Sequence, residues 1–170
     1  MEHLALRIGV ISDTHLRGVP QGFLQGLKKA FHGVELVLHC GDWVSRGVLD
    51  AMVGQGWEVV GVAGNMDPSE IHCVVPVKRE LELEGIKIGL VHGWGAPGGI
   101  EARVSSAFQR VELVVFGHTH RPFWGRWGEL WLFNPGAASG WGNPQGPTVG
   151  ILEVGETLRA SIVPLKGEAG

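Results

Sequence analysis

The sequence predicts an α+β fold in which two β-sheets pack face to face with helices outside. Three observations predict it. The first half of the chain alternates strand-like apolar runs with helix-period segments in a β-α-β-α-β order. The second half carries short strand-like runs separated by glycine turns, mostly antiparallel by their spacing. Three segments have helical period, and a half-parallel, half-antiparallel strand order with three helices suits two packed sheets.

The elements follow in chain order. Residues 6–12 read as a first strand, with Asp13-Thr14-His15 at its carboxyl end. Residues 21–32 form a helix, because Phe23, Leu24, Leu27, Ala30 and Phe31 fall at helical spacing. Gly33 stops it. A second strand over 34–40 runs into Gly41-Asp42, and Ser45 is placed to cap a helix through about residue 53. A third strand over 57–63 ends in Gly64-Asn65-Met66-Asp67. Each polar loop so far sits at the carboxyl end of a strand, where open α/β sheets place their ligands. Residues 77–83 and 86–91 flank Glu84-Gly85 as a hairpin, and the second of them ends in His92-Gly93. Pro97-Gly98-Gly99 opens a helix over about 100–110. The apolar run 111–116 reads as a buried strand leading into Gly117-His118-Thr119-His120. Extended backbone there would point His118 and His120 to the same side, and Gly117 would let the backbone approach a bound group. Four short strands follow, over 123–127, 130–134, 148–154 and 158–164.

Composition narrows the function classes. With 170 residues, 44% apolar and 18% charged, the chain reads as one globular domain over 1–170. A net charge of −3 and no basic run argue against a stable nucleic-acid complex. Two cysteines, Cys40 and Cys73, suit reduced thiols in the cytoplasm better than a disulfide framework. The start, Met1-Glu2-His3-Leu4, has neither a basic n-region nor a membrane-length apolar run. No membrane association is expected.

The strand ends collect into one constellation: Asp13-x-His15, Asp42, Asn65, His92 and His118-x-His120. These are oxygen and nitrogen ligands with no sulfur, a set that suits borderline first-row divalent ions. They exceed what one open-coordinate ion needs and suffice for two ions sharing one carboxylate. Two metals about 3.5–4 Å apart are the usual clamp for in-line phosphoryl chemistry. Two carboxylates against two divalent cations would leave a net positive site, as a phosphate ester requires.

In this order, D-x-H, G-D, G-N, H-G and G-H-x-H resemble the calcineurin-like metallophosphoesterases. Gly64-Asn65-Met66-Asp67, Gly117-His118-Thr119-His120-x-Pro122 and Asn134-Pro135-Gly136 resemble its small prokaryotic phosphodiesterase branch. The resemblance implies a four-layer α/β/β/α sandwich of two mixed sheets. It implies a first metal on Asp13, His15 and His120, Asp42 as bridge, and a second metal completed by Asn65, His92 and His118. Asn65, His118 and Asp67 are the implied catalytic residues, Asp67 by orienting the ligands. The cofactors would be two divalent ions per chain, with manganese preferred over nickel, iron or zinc. The reaction would be hydrolysis of a small phosphodiester by in-line attack of a metal-bridging hydroxide. The alternative is a protein-binding scaffold of the same fold, as in an endosomal sorting relative with a degraded metal site. All seven ligand positions are intact here, which argues for catalysis. Two departures stand out. Met66 lies where larger phosphatases of the superfamily carry His, and Ala137 where the branch often has Ser, so Ser139 and its loop stay off the catalytic list.

Other polar and aromatic residues take plainer readings. His39 reads as a satisfied core histidine, Cys40 as a small core residue, and His3, His32 and His72 as surface histidines. Within the aromatic stretch 123–133, strand alternation puts part in the core. Trp124, Trp127 or both would then be exposed, either as a subunit contact in a homo-oligomer or as a face for stacking on a base.

Overall fold

The computed structural model describes residues 4–166. His3 lies outside them. The first sheet has the order β10-β9-β1-β2-β3. Its parallel part is β1 (Leu6–Ile11), β2 (Leu36–His39) and β3 (Glu58–Gly61). β9 (Thr148–Val154) runs antiparallel to β1, and β10 (Leu158–Pro164) antiparallel to β9. The second sheet has the order β4-β5-β6-β8-β7. It comprises β4 (Lys78–Leu83), β5 (Ile86–Val91), β6 (Leu113–Val115), β7 (Phe123–Trp127) and β8 (Leu130–Asn134). The hairpins β4–β5 and β7–β8 are antiparallel, but β5, β6 and β8 run parallel. The late strands are mostly antiparallel, as their spacing predicts, and the exception is the parallel pairing of β8 with β6. The chain leaves β6, builds β7 at the sheet edge, and returns through β8 between the two.

Strand alternation divides the core into three. Leu36 and Leu38 of β2 face the second sheet with Ile8 and Val10, meeting Ile88, Leu90, Leu113, Val115 and Phe133. Val37 faces the other way, into a layer with Leu27, Phe31, Trp43 and Met52. That layer is covered by α1 (Gln21–Ala30) and α2 (Arg46–Gly54). Val114 of β6 likewise points outward, against Ile100, Val104 and Phe108 at α4 (Ile100–Ser106). The result is the four-layer α/β/β/α sandwich of two mixed sheets.

Element ends differ from the sequence reading where side chains leave the period. α4 stops at Ser106, because i→i+3 bonds tighten its last turn (Phe108 N–H to Ser105 O, 3.4 Å) and Phe108 turns into the core. A fourth helix, α3 (Ser69–His72), follows Pro68 and is too short to show a period. Ser45 is the N-cap residue of α2, but its hydroxyl makes no capping bond. The Arg46 N–H bonds Glu70 Oε1 instead, at 3.3 Å. In the aromatic stretch, Trp124 stacks on Trp131 with centroids 4.4 Å apart, half-buried, while Phe123 and Trp127 are exposed. No helix among the described residues is long and apolar enough to cross a membrane.

Candidate metal centre

The carboxyl ends of β1, β2 and β3 from one sheet, and of β5 and β6 from the other, meet at one rim of the sandwich. Asp13 is fully buried there. Its Oδ2 accepts from Ser12 Oγ (2.7 Å) and from the His118 N–H (3.2 Å). Its Oδ1 faces three imidazoles: His120 Nε2 at 3.2 Å, His15 Nε2 at 3.6 Å and His92 Nε2 at 3.8 Å. Asp42 accepts the Met66 N–H on Oδ1 (2.9 Å). Its Oδ2 lies 3.2 Å from His92 Nε2 and 3.5 Å from His15 Nε2. Glycines allow this crowding. A β-carbon at Gly117 would strike the Ser12 and Asp13 side chains, and one at Gly64 would strike the Asp42 carboxylate.

Three histidines are set by backbone carbonyls, each holding one ring nitrogen and freeing the other. His92 Nδ1–H donates to Cys40 O and His120 Nδ1–H to Trp141 O, both at 2.7 Å. Each then turns Nε2 toward the aspartates, as an N–H donor to a carboxylate when the ring is protonated and as a lone pair for a cation when it is neutral. His118 does the reverse: Nε2–H donates to Gly95 O (2.7 Å), and Nδ1 faces Asn65 Oδ1 at 3.3 Å.

Asp13, His15, Asp42, His118 and His120 all have positive φ, between 47° and 71°. Such a conformation costs a non-glycine residue about 1–3 kcal/mol. It overturns the extended reading of the His118 loop, where a Thr119 N–H to Gly117 O bond (2.8 Å) turns the chain. The two rings therefore diverge. His118 packs edge-on to His92 with centroids 5.3 Å apart, and His120 edge-on to His15 at 5.4 Å. Asn134 holds this loop, donating to Gly117 O (3.0 Å) and Thr119 Oγ1 (3.1 Å) and accepting the Gly136 N–H (2.9 Å). The sequence motif around Asn134 marks that role, although the residue is not among the expected site residues. Asp67 is half-buried. Its oxygens accept three backbone N–H groups: Asp42 (2.9 Å), Val44 (2.7 Å) and Gly64 (2.7 Å). It ties the two loops together and does not face the centre.

Charge is balanced inside the cluster. Burial alone would raise the Asp13 pKa, but the His120, His15, His92 and Ser12 groups around it hold it well below the usual carboxylate range. Burial likewise works against Asp42, and His92 together with the Met66 N–H lowers it. His92 is raised, its burial outweighed by Asp42 and Asp13. His120 is raised by the Asp13 carboxylate beside it, which outweighs its partial burial. His39, fully buried and stacked on Trp43 at 3.5 Å, is pushed down to about 3 by burial. It accepts the Gly41 N–H on Nδ1 (3.1 Å) and lies 3.3 Å from Thr14 Oγ1, so it is a satisfied core histidine. Burial raises the Cys40 thiol. His32 and His72 are exposed.

The donor set fits divalent ions. Asp13 Oδ1, His15 Nε2 and His92 Nε2 are buried without a hydrogen-bond partner, each an omission costing about 1–3 kcal/mol if nothing met it. Ligands about 2.0–2.2 Å from one ion lie about 3.0–3.5 Å from each other, close to the spacings here. Two overlapping nests result, Asp13 with His15 and His120, and Asp13 with Asp42 and His92. Asn65 and His118 adjoin the second. Two further residues escaped the sequence reading: Trp94, whose loop meets His118 through Gly95, and Trp141, which meets His120. Both indoles are exposed, and single aromatics in glycine-rich loops leave no periodic signal.

Residues 6–157 match the model of the calcineurin-like phosphoesterase superfamily domain. The chain is 34% identical over 164 residues to a protein of Methanocaldococcus jannaschii named as a probable metallophosphoesterase, covering 94% of this chain and 81% of that one. Among solved structures, an archaeal phosphodiesterase superposes with a TM-score of 0.67 at 26% identity, covering 92% of this chain and 99% of that one. Vacuolar protein sorting 29 from Cryptosporidium parvum superposes with a TM-score of 0.76 at 22% identity, covering 96% and 93%. That last likeness concerns the fold alone.

Proposed function

The chain belongs to the calcineurin-like phosphoesterase superfamily, and from that premise we propose that it is a dinuclear, metal-dependent phosphodiesterase. The observation that carries this reading is that His15 Nε2 and His92 Nε2, both buried and unpartnered, lie 3.6 and 3.8 Å from the equally unpartnered Asp13 Oδ1, one in each of two nests that share Asp13. In a pure scaffold that arrangement would only destabilise the fold. Asp13, His15 and His120 would hold one ion. Asn65, His92 and His118 would hold the other, with Asp42 between them; manganese is the proposed metal. When bound, the ions would supply Lewis-acid polarisation of the phosphoryl group and activation of a water.

The chain's own residues do the rest. The carbonyls of Cys40, Gly95 and Trp141 fix three imidazoles in the tautomers a cation needs. Asp67 fixes where Asp42 and Gly64 stand. Asn65 and His118 line the more open side of the centre; the Asn65 amide N–H₂ would be free to donate to a phosphoryl oxygen, whereas both His118 nitrogens are committed, Nε2–H to Gly95 O and Nδ1 to the ion. In the reaction the water oxygen bonds to phosphorus, one ester P–O bond breaks, and an alcohol or phenol leaves with a monoester. The departing oxygen must leave as the anion or take a proton from solvent. Met66 has none to give, and Asp67 spends its carboxylate on backbone amides. This favours diesters with good leaving groups over monoesters. The free thiols, Cys40 buried and Cys73 exposed, suit a cytoplasmic setting.

The test is the metal content of the purified protein together with hydrolysis of bis(p-nitrophenyl) phosphate, with and without added manganese. The expected result is about two ions per chain and manganese-dependent turnover. A protein that binds no divalent metal and cleaves no diester refutes the reading.

A further inference from the structure

A groove of about 470 Å³ opens beside the Asn65 and His92 half of the centre. Its walls are apolar, with Ala63, Val77, Val91 and Trp94 contributing. Val77 is 61% and Trp94 46% exposed, unusual for large apolar side chains beside a cluster of charges. Lys78 sits on the wall, but its Nζ donates to Ala107 O at 2.7 Å and lies over the Phe108 ring. The groove therefore offers no uncommitted lysine or arginine for a second phosphate; outside the metal centre, His72 is the other basic side chain on its wall.

The Trp94 loop is held in place. Arg103 of α4 reaches back across it, donating Nε–H to Trp94 O (2.7 Å), one terminal nitrogen to Gly98 O (3.1 Å) and the other to Ala96 O. His118 holds the Gly95 carbonyl between them. An exposed indole whose backbone is fastened by four donors is a preformed surface, with little ordering left to do on binding.

We propose that this groove is the subsite for an aromatic ester group of the diester substrate, with the Trp94 indole as its stacking face. The proposal rests on the phosphodiesterase reading and adds a substrate class to it. Continuity supplies the argument: Asn65 and His92 belong to the metal centre and to the groove, so a phosphoryl group held between them projects one ester substituent along the apolar walls. The volume is in the usual range for small-ligand sites. A glycerol or sugar substituent would leave those walls wet, whereas a planar ring covers Trp94 and excludes water from Val77 and Val91. Arg103 acts as a positioning residue.

The experiment compares two probes with one headgroup, phenylphosphonate and methylphosphonate, by calorimetric titration of the metal-loaded protein. Wild type should bind the phenyl probe about fivefold to tenfold more tightly, the size of a good aromatic contact. Trp94→Ala should lose most of that difference while keeping its affinity for the methyl probe. Arg103→Gln should lose part of it. Trp127→Ala, an exposed indole on a distant hairpin, should keep all of it. Thermal melts by circular dichroism establish that each variant is folded, and Val77→Glu provides a second, independent disruption of the groove with the same expected loss. A Trp94→Ala protein with undiminished phenyl preference overturns the proposal. So does a wild type that hydrolyses bis(p-nitrophenyl) phosphate yet binds both probes equally, which leaves the phosphodiesterase reading standing. A wild type that hydrolyses no diester overturns both.

Discussion

Asp67→Ala should be among the most damaging single changes outside the ligands. Its carboxylate accepts three short backbone N–H bonds, from Asp42, Val44 and Gly64. Two of these donors belong to residues with positive φ, 58° at Asp42 and 76° at Val44, and a β-branched residue adopts that conformation only when forced. A hydrogen bond to a charged group contributes about 1.5–3 kcal/mol, so three would sum to about 4.5–9 kcal/mol if independent. Asp67 is half-buried and water can reach part of the gap, which places Asp67→Ala just below that range, at about 4 kcal/mol. Asp67→Asn keeps one oxygen acceptor but turns an amide N–H₂ toward a donor, for a loss of about 2 kcal/mol. Urea unfolding of the metal-free proteins measures both. Manganese affinity should fall alongside, because Asp42 is then free to leave the αL region. An Asp67→Asn protein within about 0.5 kcal/mol of wild type, with unchanged metal affinity, would show that the clasp is incidental.

Asp42→Asn removes one of two carboxylates from the centre and should abolish metal occupancy, measured by elemental analysis, and turnover with it; His32→Ala, on an exposed residue, should change neither. Met66 is 59% exposed, so Met66→His should fold normally and add a proton donor, a role worth about 10²–10⁴ in rate where the leaving group is poor. The ratio of monoesterase to diesterase kcat/KM should rise, and an unchanged ratio would mean that leaving-group protonation does not limit the monoester reaction. The last prediction concerns pH. His92 and His120 are raised in the metal-free protein above the ordinary 6.5, so the stability they contribute is full below 6.5 and lost as pH rises through their folded values. His39, pushed down to about 3, contributes fully above 6.5 and is silent in that window. Metal-free stability to urea should therefore fall as pH rises above about 6.5. With manganese the trend should reverse, because binding needs the neutral rings. The same slope in both states would contradict the ligand assignment.

Legibility in the sequence followed physical causes. β1, β2, β5 and β6 are buried on both faces and read as continuous apolar runs, so their loops and the D-x-H, G-D, H-G and G-H-x-H residues were found with them. The bounds of β8 were legible, but its parallel pairing with β6 was not, because strand spacing reports hairpins and says nothing about which neighbour a returning strand chooses. The directions of His118 and His120 were misread because periodicity describes extended backbone, whereas these residues sit at φ 71° and 63°. Trp43 and Trp57 are core, but Trp94 and Trp141 lie in loops where no period distinguishes a working indole from an idle one. Asp67 was recognised through its motif, while its three amide partners come from two loops that only the folded chain brings together.

The first sheet supplies Asp13, His15, Asp42 and Asn65, and the second supplies His92, His118 and His120. The Asp13 carboxylate and the His118 amide it holds are 105 residues apart in sequence. Each nest takes a histidine from the second sheet, His120 in one and His92 in the other, so neither is complete before the sheets have docked and a cation is poorly placed to nucleate folding. It can only latch a structure already assembled. Contacts that form after the transition state change the unfolding rate and leave the folding rate nearly alone. Loading the centre should therefore lengthen the lifetime of the native state without hastening its arrival, and a chain stripped of metal would refold at its usual speed yet come apart sooner.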